Sequence, residues 1–83
     1  MQKVGSYLKS KRLESGVTQK QLAEMFGLST SQYISNVELD KCGPSLLKLD
    51  IWCEAVGANP NTVFKCLMSE YRSNVRAGLG MNP

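Results

Sequence analysis

The sequence predicts an all-α fold, a compact bundle of five short helices. Three observations predict it. Apolar residues recur at helical spacing in five segments, each segment is bounded by a helix-start or helix-stop signal, and no run alternates apolar and polar residues as a half-buried strand would. Length agrees, because 83 residues with 42% apolar content make one domain, and so small a domain buries enough surface only if it is compact.

The first segment runs from about Lys3 to Ser15. Val4, Leu8 and either Arg12 or Leu13 share one face, the other face is basic, and Gly16 stops it. The second opens with Thr18-Gln19-Lys20-Gln21, in which a Thr with a Gln three residues on can form a capping box. It carries Leu22, Ala23 and Phe26 on one side, and the small Ala23 marks where a neighbouring helix comes close; Gly27 ends it. The third follows Ser29-Thr30-Ser31-Gln32 and ends near Glu38 to Asp40, with Ile34 and Val37 inward. Two starts compete. Ser29 with Gln32 makes a capping box, whereas Thr30 as the cap leaves Gln32 free to face outward, and Thr30 is the preferred reading.

The fourth segment has Ser45 as its candidate N-cap and an apolar stripe of Leu46, Leu49, Trp52, Cys53 and Val56, with Trp52 at the edge of the core and Gly57 as the stop. Asn59-Pro60 opens the fifth, a cap residue followed by proline at the first helical position. Val63, Phe64, Leu67, Met68, Tyr71 and Val75 then recur as far as Gly78.

Composition narrows the function classes. Ten Lys/Arg against seven Asp/Glu give a net charge of +3, too mild to establish a polyanion partner. Placement says more, because Lys3, Lys9, Lys11, Arg12 and Lys20 gather early in the chain with only Glu14 against them, so one end is expected to be positive. The three cysteines, Cys42, Cys53 and Cys66, have no C-x-x-C spacing and no histidine to join them. They read as reduced thiols, with no metal and no cofactor. No signal peptide and no apolar run of about 20 residues appears, and the expectation is a soluble, cytoplasmic protein with no membrane association. An enzyme is not expected, since there is no histidine, no glycine-rich phosphate loop and no paired carboxylates.

Two short helices joined by the tight Gly27-Leu28-Ser29 connection, between a basic first helix and an apolar fourth, can place the later of the pair in a major groove. The residues themselves resemble a known family. From Leu8 to about Phe64, the runs Leu8-Lys9-Ser10-Lys11-Arg12, Gly16-Val17-Thr18-Gln19, Leu22-Ala23, Gly27-Leu28-Ser29, Ile34-Ser35-Asn36-Val37-Glu38 and Pro44-Ser45 are similar to the phage repressor and Cro-like (XRE-type) helix-turn-helix domains. The implied fold is the lambda repressor-like five-helix bundle with a central helix-turn-helix. The implied function is sequence-specific binding of double-stranded DNA by a small transcriptional regulator, read as a repressor.

The resemblance implies roles for individual residues. Arg12 and Glu38 match the positions of a structural ion pair between the first helix and the recognition helix. Gln19 would donate to a phosphate, helped by Thr18, with Lys9, Lys20 and Lys41 as further backbone contacts. On the recognition helix, about Ser31 to Glu38, the residues Ser31, Gln32, Ser35 and Asn36 match the outward positions, where amides can pair with adenine in bidentate fashion. Composition alone would read the same residues as a solvated face. Tyr33 either packs its ring beside the first helix or offers its hydroxyl to a phosphate.

The chain departs from the family pattern in two places. The connection before Ile34 is one residue longer, which unsettles the register of Ser31 and Gln32. Leu39-Asp40 replaces a basic or amide residue followed by glycine, putting apolar and acidic groups where a phosphate would pass. The expected division is a DNA-binding domain over 1–66 and an extension over 67–83. Leu67, Met68, Tyr71 and Val75 on that extension would either fold back on the bundle's own core or be covered by a second copy, giving a homodimer. The competing class is a protein-interaction adaptor or antitoxin-type component that uses the same bundle to hold a protein partner.

Overall fold

The computed structural model describes residues 3–78, and within them every side chain except those of Leu46 and residues 73–78. The described residues form α1 (Val4–Ser15), α2 (Gln19–Met25), α3 (Gln32–Glu38), a 3₁₀ turn (Leu46–Lys48), α4 (Leu49–Val56) and α5 (Pro60–Gly78). Helix α1 lies against α3, α4 and α5; α2 lies against α3 and α4; and α4 lies on α5. The expected all-α architecture is the one observed.

Helix α1 buries Val4, Tyr7, Leu8 and Arg12 and leaves Leu13 exposed, which decides between the two residues that could have completed its inner face. No side chain of its own caps its start. The cap comes from across the bundle, where the Gly5 N–H donates to Asp40 Oδ1 at 3.2 Å. Asp40 can reach because its backbone turns through φ 59°, a left-handed conformation that Asp tolerates better than most residues. Helices α1 and α3 are so close here that a methyl on Gly5 would collide with the Val37 carbonyl oxygen and lie 2.7 Å from Asp40 Oδ1.

Helix α2 starts as its sequence dictates. The Gln21 N–H donates to Thr18 Oγ1 at 3.0 Å and the Thr18 N–H donates to Gln21 Oε1 at 2.9 Å, so two amides that the helix leaves unpaired are satisfied reciprocally. It ends at Gly27, whose φ of 73° turns the chain as a residue with a Cβ would not readily do.

The third and fourth helices begin later than expected. The hydroxyl that reaches the start of α3 is that of Thr30, whose Oγ1 accepts the Gln32 N–H at 3.4 Å; Ser31 stands directly before α3 with φ −90° and ψ 8° and makes no capping bond. A capping hydroxyl needs extended backbone, and the longer connection has placed turn geometry there instead. The Ser45 hydroxyl likewise accepts no capping bond. The chain first makes the 3₁₀ turn, with the Lys48 N–H on the Ser45 carbonyl at 3.0 Å, and α4 proper starts at Leu49.

Trp52 is fully buried in the middle of the core and not at its edge. Its ring meets Phe26 edge-on at 5.0 Å and Tyr33 at 5.9 Å, joining α2, α3 and α4 in one aromatic cluster. Helix α5 begins with Asn59 Oδ1 accepting from the Asn61 N–H at 2.8 Å, while the Asn59 N–H donates to Tyr7 Oη at 2.9 Å. It runs unbroken through residues 66 and 67. Val63 and Cys66 are buried and Leu67 packs against the core, whereas Phe64, Met68 and Tyr71 are 63%, 39% and 64% exposed. The Val75 side chain lies outside the described residues. No helix among them is long and apolar enough to cross a membrane.

Candidate nucleic-acid interface

The inner side of α3 is anchored by a buried polar network. Arg12 and Glu38 are 7% and 4% exposed. Arg12 Nε donates to Glu38 Oε2 at 2.6 Å and Nη2 to Oε1 at 3.1 Å, while Nη1 reaches the Val17 carbonyl at 2.9 Å. Gln19 Nε2 adds a third bond to the carboxylate, on Oε1 at 2.9 Å. Burying two charges is costly unless they meet in good geometry with their remaining valences filled. The bidentate pair and the two further bonds meet that condition. One side chain from each of α1 and α3, and the first residue of α2, are thus locked together. Gln19 has one amide proton committed inside the molecule and a second left for another acceptor.

The outer side of α3 is uncharged and hydrogen-bonding. Gln32 is exposed, Ser31, Ser35 and Asn36 are half-buried, and Gln32 Nε2 donates to Asn36 Oδ1 at 2.9 Å. The Tyr33 ring joins Phe26 and Trp52. Its hydroxyl oxygen accepts the Ser45 N–H at 2.8 Å, tying α3 to the segment before α4 and leaving the phenolic proton to donate elsewhere.

Lys9, Lys20 and Lys41 are all exposed, so each is accessible to an anion. The amino-terminal positive cluster is thinner than a count suggests, because Arg12 is neutralised by Glu38 and Lys11 pairs with Glu14 at 3.3 Å. Thr18 Oγ1 is held in the α2 cap. Asp40, expected to face a passing phosphate, turns its carboxylate to the start of α1, whereas Leu39 is exposed. Sequence reasoning missed this role of Asp40. An acid standing where the family has glycine marks a positive φ, but no neighbouring residue points from Asp40 to α1. It also missed Tyr7, whose buried ring and bonded hydroxyl join α1 to α5.

Two of the cysteines lie on the helices, Cys53 half-buried and Cys66 buried. Burial first, and then the Glu70 carboxylate, push the Cys66 thiol above its ordinary pKa; burial and then Asp50 do the same to Cys53. A nucleophile or metal ligand needs the opposite shift.

A short helix α2, a turn at Gly27 and a helix α3 pinned from within but open without define a helix-turn-helix DNA-binding protein. The chain belongs to the helix-turn-helix family, whose model matches residues 8–62. Its structure is similar to that of the wild-type restriction-modification controller protein C.Esp1396I, solved by crystallography, with 28% sequence identity and a TM-score of 0.59 over 82% of this chain and 86% of that one. Comparison with curated proteins gives no match. DNA-binding transcriptional regulation of the XRE type is the class of function that family and fold assign.

Proposed function

We propose that this chain binds a specific sequence of double-stranded DNA with α3 in the major groove and acts as a repressor, by occupying duplex that polymerase would otherwise use. The observation that carries the reading is the two-sidedness of α3. Its inner side is fixed by the Arg12–Glu38–Gln19 network, and its outer side presents amides and hydroxyls, which can hydrogen-bond base edges in the major groove. Ser31, Gln32, Ser35 and Asn36 face the bases. Lys9, Lys20 and Lys41 meet phosphates, joined by Gln19 through its second amide proton and by the hydroxyl protons of Thr18 and Tyr33. Residues 1–66 constitute the DNA-binding domain, with 67–83 extending it. A regulator of this kind works in the cytoplasm, where free thiols such as these three stay reduced.

Selection from a random duplex pool, followed by affinity measurement across a salt series, tests the proposal. Lys20→Ala should weaken all sequences alike and reduce the slope of log affinity against log salt by about one. Gln32→Ala or Asn36→Ala should instead relax base preference. A protein that binds no duplex even in dilute salt defeats the reading.

The exposed stripe Phe64, Met68 and Tyr71 supports a homodimer through α5, since i, i+4 and i+7 positions form one continuous apolar face. A second reading, an adaptor or antitoxin-type component that holds a protein partner, is favoured by Leu39 and by Leu47, which is 92% exposed. An apolar interface of that kind would be insensitive to the same salt series.

A further inference from the structure

Gln32 and Asn36 stand one turn apart on α3, and the bond between them has a direction: Gln32 Nε2 donates and Asn36 Oδ1 accepts, at 2.9 Å. An isolated glutamine or asparagine can rotate its amide by half a turn and offer either a donor or an acceptor to a base. Here neither can rotate alone without losing the bond, so the two orientations are coupled. With its amino group turned toward Asn36, Gln32 leaves its carbonyl oxygen as the outward acceptor. With its carbonyl engaged, Asn36 leaves its amino group as the outward donor. Such a bond is modest in water and tightens where a groove excludes solvent.

We infer that Gln32 and Asn36 form a single reader whose two ends are coupled and opposite in polarity, an inference that rests on the groove-reading role proposed above. The Gln32 end accepts from an amino-bearing base, adenine N6 or cytosine N4. The Asn36 end donates to a base whose distinguishing major-groove group is an acceptor, guanine O6 or thymine O4. The preferred site therefore carries adenine or cytosine beside guanine or thymine, in that order along α3, in place of two independently read adenines.

Two substitutions at this surface, followed by selection from a random duplex pool and anisotropy titration of the winning duplexes, test the inference. In Asn36→Asp the new carboxylate still accepts from Gln32 but has no donor. One base position should switch from guanine or thymine to adenine or cytosine, by about tenfold or more in relative affinity, and its neighbour should be unchanged. Gln32→Glu has the opposite reach. The new carboxylate cannot donate, so Asn36 turns over to donate to it and presents its carbonyl to the groove. The base opposite the unaltered Asn36 should then switch as well, by a similar factor.

The added charge lowers affinity for duplex in general, so relative affinities are compared, and an unchanged thermal melt verifies the fold of both variants. If Gln32→Glu alters only its own base position, or the wild-type protein selects the reverse order, the coupled reader is overturned while the groove-reading role stands. If neither variant alters any preference, the groove-reading role fails and the inference with it.

Discussion

Arg12 occupies the α1 position where an apolar side chain would ordinarily continue the face begun by Val4 and Leu8, and the leucine beside it is left in solvent. The reason is 26 residues away, where Glu38 supplies a carboxylate that satisfies the guanidinium in bidentate fashion. The pair cannot be halved cheaply, because either partner alone is a buried, uncompensated charge. Arg12→Ala and Glu38→Ala should each destabilise the fold by about 3–5 kcal/mol in urea denaturation. Replacing both by apolar residues of similar volume should cost far less than the sum. A loss below about 1 kcal/mol for either alanine variant would mean that the pair is solvated and does not anchor α3.

At the scale of elements, the crossing of α1 and α3 depends on two residues with opposite requirements. Gly5 must have no side chain, because the Val37 carbonyl and Asp40 carboxylate fill the space. Asp40 must have one that accepts a hydrogen bond while its backbone is left-handed. Gly5→Ala should therefore destabilise by about 1–3 kcal/mol through overpacking, although alanine is the better helix former. Asp40→Ala should cost about 1–2 kcal/mol through the lost cap and the strained φ, and Asp40→Asn, which keeps both an acceptor and tolerance of that φ, should be nearly neutral. Thermal unfolding of the three variants checks this order, and equal losses for the alanine and asparagine variants at position 40 would remove the capping role. Caps such as Thr18 with Gln21 were legible in the sequence because donor and acceptor lie within one turn. The Asp40 cap was not, because nothing local connects it to Gly5.

For the molecule as a whole, α5 carries the exposed apolar face on which the homodimer proposal rests. Leu67, named among the residues left for a second copy or the bundle's own core, packs against the core, and Phe64, one of the residues recurring at helical spacing, is exposed. The free face therefore runs through Phe64, Met68 and Tyr71. If it joins two copies, sedimentation equilibrium should show a dimer at concentrations where DNA is bound, and Met68→Glu should yield a folded monomer that loses affinity for a two-half-site duplex. Half-sites one helical turn apart, about 34–36 Å, would be protected together by the native protein. A native monomer well above the DNA-binding concentration would end the dimer proposal.

By itself the sequence determined the helical class, the approximate extent of each helix and the helix-turn-helix at the centre, because apolar periodicity, caps and turn glycines act over a few residues and can be read there. Tertiary structure decided what depends on partners brought from a distance. It placed Trp52 at the centre among Phe26 and Tyr33, delayed the starts of α3 and α4, gave Gln19 to Glu38 and aimed Asp40 at α1. Each of those outcomes is set by which group fills a space or meets an unpaired hydrogen-bonding atom once the helices have packed, and no local pattern encodes that.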